Sequence, residues 1–360
     1  MNGFALLPNK KKTEVMMFKI YSKPQMLNFE SDDVFLHFTG NIFGIGCSVF
    51  SKKAIKRIKK LKSRAENKGF IVLFASFKML KHYLPSLQNN TKVFNLLKQY
   101  LPGNLTVILS CEDDRLSQVT VDKKLAVRIP QNHTLRAFIE QIGIPILSTS
   151  INMSNEQFCN DLNIIKKDFG DWFDYGIFNP KDEQNSPLPS TVISFEKGLN
   201  LIREGSIDFS EISESYEKPL IQFVCIGNIC RSPMAEAYFN HLIKEKNLPF
   251  RTASCGLVNG NVPISKNSKI IMDAKGYDTN NKHSIEVNSD IVRKSMILLC
   301  MTKDVKNNLC VRFPDAKHKI FTFAEYTGNM EDIPDPFQMD MKQYEKAWEI
   351  IKKYCDILCD

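Results

Sequence analysis

Two α/β domains in one chain is the fold class the sequence predicts, and three observations carry it. The length of 360 residues exceeds one typical domain and suits two. Short β-type runs alternate with amphipathic helical patterns: "FIVLFAS", "LTVILS" and "LAVRIP" early in the chain, "LIQFV" and "SMILLCM" late in it. Between the two sets, residues 206–218, "SIDFSEISESYEK", are polar, rich in serine and acid, and without a sustained apolar period, which predicts a linker. The expected division is a domain over 1–207, a linker over 208–218 and a second domain over 219–360.

Composition narrows the class. Apolar residues at 43% and charged residues at 24% are ordinary for a globular chain and exclude a disordered one. The start, "MNGFALLPNKKK", has too short an apolar run for a secretory signal, and "FIVLFA" and "SMILLCM" fall far short of a membrane span. The expectation is a cytoplasmic protein with no membrane partner. Ten cysteines are scattered without paired C-x-x-C spacings, so reduced buried thiols are expected and no metal site.

The net charge of +8 is uneven, and "SKKAIKRIKKLKSRAENK" from Ser51 to Lys68 carries much of it. Ala54, Ile55, Ile58 and Leu61 form a stripe at helical spacing with Ser51 placed to cap it, so most of these lysines belong to a solvated helix face. The other reading is a phosphate- or RNA-attracting patch. Lys62, Arg64 and Lys68 are set apart for the chemistry below.

In the second domain, "FVCIGNICRSPMAEAYF" spans Phe223 to Phe239. "LIQFV" is a buried-strand pattern ending at Cys225. The helix after it shows Ala235, Tyr238, Phe239, Leu242 and Ile243 on one face, with Pro233 suited to its first turn. The intervening loop, Ile226, Gly227, Asn228, Ile229 and Cys230, therefore sits at a helix N-terminus, where backbone N–H groups and the helix dipole favour an anion. Gly227 is expected to let the backbone curl around a phosphate. The same positive field favours a thiolate nucleophile at Cys225. Arg231 can grip two phosphate oxygens with its planar fork, and Ser232 can donate to the sulfur as it leaves. A departing alkoxide or phenolate needs a proton, and "EDIPDPF" supplies Asp332 and Asp335, the latter on a proline-stiffened loop.

"VCIGNICRSPMAEA" together with "DPF" resembles the low-molecular-weight protein tyrosine phosphatases from about Leu220 onward. "TASCGL" and "MILLCMTKDVKNNL" fall in the family's order. The resemblance implies a central parallel sheet flanked by helices. It makes Cys225 the nucleophile that forms a phosphocysteine, Arg231 the phosphate clamp, Asn228 and Ser232 the loop organisers, and Asp335 the acid that later activates water, with no cofactor. Phe337 is expected at the entrance, against an aromatic substrate. Related enzymes acting on phosphoarginine carry Thr where this chain has Ile229, which favours a phosphotyrosine protein or other aryl phosphate as substrate. Cys230 is either a small buried loop residue or the partner of an oxidised Cys225. Arsenate reductases share the fold and use further cysteines, for which Cys300 and Cys310 are the nearest candidates.

In the first domain, "FTGNIFGIGC", "LKSRAENKG", "LPGNLTVIL", "LAVRIP", "LSTSINMSN", "LPSTVI" and "LIREGSI" follow one another. Their order and spacing resemble the YrdC-type threonylcarbamoyl-AMP synthases from about Val34 to Ile207. That resemblance implies a twisted mixed sheet and a reaction joining L-threonine, bicarbonate and ATP, with Mg2+ accompanying the ATP, for tRNA modification. tRNA and tRNA-modification proteins are then further partners. It implies a nucleotide- and threonine-binding set of Thr39, Lys62, Arg64, Lys68, Arg128, Ser148, Ser150, Asn152, Ser190 and Arg203. Fixed cations suit a site shared by a triphosphate and a carboxylate. Three departures stand out: Phe38-Thr39-Gly40-Asn41 lacks the family's proline and carboxylate, Ala65 replaces a proline, and Ile151 sits inside the S-x-N element. The two function classes the sequence leaves open are a bifunctional enzyme and a phosphatase carrying a non-catalytic nucleotide- or RNA-binding domain.

Overall fold

The computed structural model describes residues 18–62, 69–152, 158–182, 188–258, 260–279 and 282–359. They divide into two compact units. One is built from the chain up to Gln88 and from Leu101–Asp208, the other from Asn89–Tyr100 and from Phe209 onward.

The first unit holds a ten-stranded mixed sheet. Its strands are β1 (Ile20–Tyr21), β2 (Val34–Phe38), β3 (Phe43–Ser48), β4 (Ile71–Leu73), β5 (Leu105–Ser110), β6 (Lys124–Arg128), β7 (Ile146–Ser150), β8 (Tyr175–Ile177), β9 (Thr191–Ser194) and β10 (Asn200–Arg203), in the order β1-β8-β2-β3-β7-β4-β6-β5-β9-β10. Helix α1 (Lys52–Leu61) follows β3 with Ser51 as its cap, Ser51 Oγ accepting from Ala54 N at 3.0 Å, and it buries Ala54, Ile55 and Ile58 as the spacing predicts. The remaining helices of this unit are α2 (Phe77–Tyr83), α4 (His133–Ile142) and α5 (Leu162–Phe169); α3 (Thr91–Tyr100) belongs to the second unit. Leu135, Phe138 and Ile139 of α4 pack on Phe35, Leu73 and Ile146. Side chains alternate along a strand, so His37 on β2 and Ser148 and Ser150 on β7 share the face of Phe35 and Ile146. At Phe35 and Ile146 that face is covered by α4, and at His37, Ser148 and Ser150 it lines a cavity.

The second unit holds a parallel sheet, β12-β11-β13-β14, from β11 (Leu220–Cys225), β12 (Arg251–Gly256), β13 (Ser295–Cys300) and β14 (Ile320–Thr322). Its helices are α6 (Phe209–Glu217), α7 (Arg231–Glu245), α8 (Lys266–Ala274), α9 (Ser289–Lys294), α10 (Lys303–Arg312), α11 (Phe323–Tyr326) and α12 (Met341–Cys359). One apolar cluster joins Phe223 and Leu299 to Phe239 of α7 and Trp348 and Tyr354 of α12, and another joins Val224 and Leu298 to Val292, Val305 and Leu309. The sheet is thus covered on both faces, as parallel sheets require. The chain leaves β11 first for β12 on one side and later for β13 on the other. A crevice opens at such a switch point, at the carboxyl end of β11, where Cys225 stands.

The predicted linker is corrected. Residues 209–217 form α6, which buries Ile212 and Ser215 and carries Glu211 in its first turn, where the helix dipole favours an acid. Its apolar period is too short to register in the sequence, because much of its anchoring is polar. Among the described residues no helix is long and apolar enough to cross a membrane.

Candidate active sites

At the end of β11, the chain turns through Ile226–Cys230 and enters α7 at Arg231, so that sulfur and guanidinium face one cavity of about 260 Å³. Cys225 Sγ lies 3.0 Å from Ser232 Oγ and 3.1 Å from the Asn228 N–H that donates to it. The left-handed residue in this loop is Asn228, at φ +54°; Gly227, expected to supply the bend, has no positive φ. Asparagine tolerates this conformation because its side chain bonds locally. Asn228 Nδ2 donates to Ser232 Oγ at 2.9 Å and Ser254 Oγ at 2.7 Å, while its Oδ1 accepts from Ile285 N at 2.9 Å. It is fully buried and fixes the loop from three sides. Close approach adds a further constraint: a Cβ on Gly256 would stand 2.6 Å from Ile226 O and 2.9 Å from Asn228 N.

Arg231 is 2% exposed. Its Nη1 donates to Ile333 O at 3.1 Å and its Nη2 to Asp335 Oδ2 at 2.5 Å, whereas its buried Nε has no protein partner. An unsatisfied buried donor on a residue that lines the cavity is open to a ligand oxygen. Asp332 takes a different role, its Oδ2 accepting from Lys303 N at 3.0 Å at the start of α10, and it does not line the cavity. Asp335 does, with Phe337, Ile226, Ile229, Val258 and Val262 forming an apolar wall. Cys230 also lines it, 3.3 Å from Tyr344 OH, and burial pushes its thiol up. Cys300 is fully buried on β13 with its thiol pushed well up by burial, Cys310 lies on α10, and neither lines this cavity.

A second cavity, of about 410 Å³, opens on the mixed sheet and is lined by Thr39, Arg128, Ser148, Ser150, Asn152, Ser190 and Arg203 from the expected set. Lys62, at the end of α1, is 3% exposed and turns its ammonium onto Ser150 O at 2.9 Å and Asn152 Oδ1 at 2.7 Å, with Asn152 O as a third acceptor. Ser150 Oγ donates to Asn152 Oδ1 at 2.6 Å. Arg203 Nη2 donates to Ser190 O at 2.8 Å, and Ser190 Oγ is 2.8 Å from Thr106 Oγ1. Arg64 and Lys68 lie outside the described residues.

Arg128 shows how the cavity is wired. Its Nε donates to Gly103 O at 2.8 Å, and its Nη2 to Asn104 Oδ1 at 2.7 Å and Asn41 Oδ1 at 3.0 Å. Among the described residues no carboxylate meets it, and burial with Arg203 nearby lowers its pKa. Thr39 Oγ1 also reaches Asn41 Oδ1, at 2.8 Å. Asn41, one position after Gly40, where the resemblance expects the acid, thus supplies an acceptor to both Thr39 and Arg128. His37 was not foreseen. Its Nε2 lies 3.1 Å from Ser148 Oγ, and burial, with Arg128 close by, brings its pKa down to about 3 and keeps it neutral. The signal was present in "GIG": a Cβ on Gly44 would stand 2.9 Å from His37 Cε1, and one on Gly46 3.1 Å from His37 Cδ2.

Fold and sites together define a two-unit α/β protein, with a cavity on a mixed sheet lined by Arg128 and Arg203 and a thiol set in a loop at a parallel-sheet switch point. The comparisons give both halves a family. Residues 30–205 match the Sua5/YciO/YrdC family, described as telomere recombination, and residues 220–360 match the low molecular weight phosphotyrosine protein phosphatase family. The threonylcarbamoyl-AMP synthase of Buchnera aphidicola is 31% identical over 176 residues, 48% of this chain and 97% of that protein. The low molecular weight protein-tyrosine-phosphatase Ptp of Acinetobacter johnsonii is 31% identical over 134 residues, 37% of this chain and 89% of its own. The protein-arginine-phosphatase of Geobacillus stearothermophilus is 32% identical over 144 residues, 39% of this chain and 93% of its own. The chain belongs to both families, the Sua5/YciO/YrdC family in its first half and the low molecular weight phosphatase family in its second.

Proposed function

We propose that the protein is a bifunctional enzyme: a threonylcarbamoyl-AMP synthase followed by a phosphatase of aryl phosphates, phosphotyrosine among them. The observation that carries the phosphatase half is the convergence of Cys225, Arg231 and Asp335 on one small cavity. The Cys225 thiolate attacks phosphorus, the P–O bond breaks, and Asp335 gives its proton to the leaving phenolate. Arg231 Nε and the loop N–H groups hold the phosphoryl oxygens. Water then attacks the phosphocysteine and gives its proton to Asp335, while Ser232 Oγ and Asn228 N stabilise the departing sulfur. Aryl substrates are favoured over phosphoarginine because Ile229, Val258, Val262 and Phe337 present an apolar wall, with Asp335 the one carboxylate among the described lining residues to meet a guanidinium. Similarity does not decide the point, since relatives named for either substrate match about equally.

In the synthase half, Lys62, Arg128 and Arg203 neutralise a triphosphate while the carbamate formed from threonine and bicarbonate attacks its α-phosphorus and pyrophosphate leaves. Thr39, Ser148 and Ser150 offer hydroxyls to the amino acid or nucleotide. No carboxylate lines the cavity among the described residues, so Mg2+ would be held chiefly by the phosphates of ATP, as that ion commonly is. The adenylate is destined for tRNA. Incubation with ATP, labelled bicarbonate and threonine tests this half: threonine-dependent pyrophosphate release supports it. ATP binding without that release would make the domain a nucleotide-binding module instead.

A further inference from the structure

Helix α3 is written in the first half of the sequence but built into the second unit. Gln99 Nε2 donates to Ser215 Oγ and to Lys294 O, at 2.8 Å each. Tyr100 OH lies 2.9 Å from Ser215 Oγ and 3.1 Å from Glu211 Oε1 on α6. A helix end leaves its last carbonyls without intrahelical donors. Here cationic and imidazole groups from beside β14 meet them, Lys319 Nζ donating to Gln99 O at 2.9 Å and His318 Nε2 to Lys98 O at 2.6 Å. Lys319 Nζ also donates to Ser295 O on β13 at 2.9 Å. Gln99, Tyr100, Ser215 and Lys319 are all buried, so these bonds form away from water, where leaving a partner unmet is costly. Val93, Leu96 and Leu97 bury the apolar side of the same helix.

Only a few residues separate this anchor from the nucleotide cavity. Tyr100 is seated in one unit; Gly103 and Asn104, in the other, supply two of the three acceptors that hold Arg128. The main chain from Tyr100 to Gly103 joins the two sets of bonds. If α3 loosens, Gly103 and Asn104 lose the fixed start of their segment, and Arg128 must be ordered by the ligand instead of before it. A ligand that pays for ordering binds more weakly.

We propose that residues 99–104 link the two units thermodynamically: a nucleotide on Arg128 tightens the seating of α3 in the phosphatase unit, and loosening α3 weakens nucleotide binding. The inference rests on the reading of the first cavity as an ATP site. By linkage the two effects are equal in size, and couplings of this kind span about 5- to 150-fold.

The test uses the full chain and ATP. Amide hydrogen exchange is followed in α3 and β13 with and without saturating ATP, and ATP affinity is measured calorimetrically for Gln99→Leu, Tyr100→Phe and Lys319→Met. The expected results are slower exchange in both elements with ATP, and a dissociation constant raised about fivefold or more in the variants that lose α3 protection. Tyr100→Phe is the mildest change and reports if the buried-lysine variant does not fold. Wild-type protein that binds ATP with no change of exchange in α3 overturns the linkage alone, as do variants that lose α3 protection at unaltered ATP affinity. Wild-type protein that fails to bind ATP overturns the nucleotide reading and the linkage with it.

Discussion

Arg231 donates to Asp335 at 2.5 Å across 104 positions of sequence, so the proposed phosphate clamp and the proposed proton donor are paired with each other before any substrate arrives. Phosphate must compete with that carboxylate for the guanidinium. Asp335→Asn is expected to lower kcat for phenyl phosphate by about 10²-fold or more, and less for 4-nitrophenyl phosphate, whose leaving group needs little protonation. Inorganic phosphate should inhibit this variant at lower concentration. Asp332→Asn, removing only a charge at the start of α10, should leave the leaving-group dependence as it is.

Cys225→Ser is expected to abolish aryl phosphate hydrolysis, because the hydroxyl lacks the nucleophilicity of a thiolate at neutral pH. Threonine-dependent pyrophosphate release should continue in the same preparation. Hydrolysis at the wild-type rate would mean that another group is the nucleophile.

Ile229→Thr is expected to shift specificity, since it replaces apolar wall by a hydroxyl able to meet a guanidinium N–H. The ratio of kcat/KM for phosphoarginine to that for phosphotyrosine should rise about tenfold or more, within the range that one pocket side chain commands. A constant ratio in a competition assay would place the discrimination elsewhere on the wall.

Arg203→Met and Arg128→Leu remove cations from a cavity that no carboxylate lines among the described residues. Each should weaken ATP binding by about 10- to 100-fold, as expected for a hydrogen bond to a charged group at about 1.5–3 kcal/mol. Raising salt should weaken the wild type more than Arg203→Met, which calorimetry at two ionic strengths would show.

Lys319 gives the second unit a pH dependence of definite sign. Burial, with Arg293 adding to it, lowers its pKa from 10.5 to about 7 in the folded protein. Between about pH 7 and 10.5 the unfolded chain therefore binds more protons than the folded one, and stability from this group rises with pH, by at most about 1.4 kcal/mol per unit. Urea unfolding of the second unit from pH 7 to 9.5 should show a slope in the wild type that Lys319→Met reduces.

The meeting of Cys225, Arg231 and Asp335 at one cavity was legible because it is built locally: Cys225 to Ser232 is one turn of chain between a strand and a helix, and Asp335 stands on a proline-marked loop. The backbone detail inside it was not, for the left-handed position fell to Asn228, whose reason is a set of bonds to Ser254 and Ile285 far along the sequence. Of the expected cations, Arg128 and Arg203 line the first cavity and were legible by type and order, while Arg64 and Lys68 lie outside the described residues. Asn41 and His37 were missed because each acquires its role from a neighbour across the sheet, Arg128 in one case and Ser148 in the other. Helices α3 and α6 explain the failure of the linker reading. Glu211 and Ser215 look like solvated polar residues until Tyr100, Gln99 and Arg293 are placed against them.

The seating of α3 also sets a schedule for synthesis. Gln99 and Lys319 are 220 residues apart, so at about 5–20 residues per second the helix waits roughly 10 to 45 s after translation before its buried cation emerges from the ribosome. The first sheet can assemble in that interval from segments already made. The second unit cannot close until almost the whole chain is out, and then it must recover a helix translated long before. Rare-codon placement or a slow ribosome in the last third of the message would lengthen that exposure, and with it the time in which Val93, Leu96 and Leu97 stand open to wrong partners.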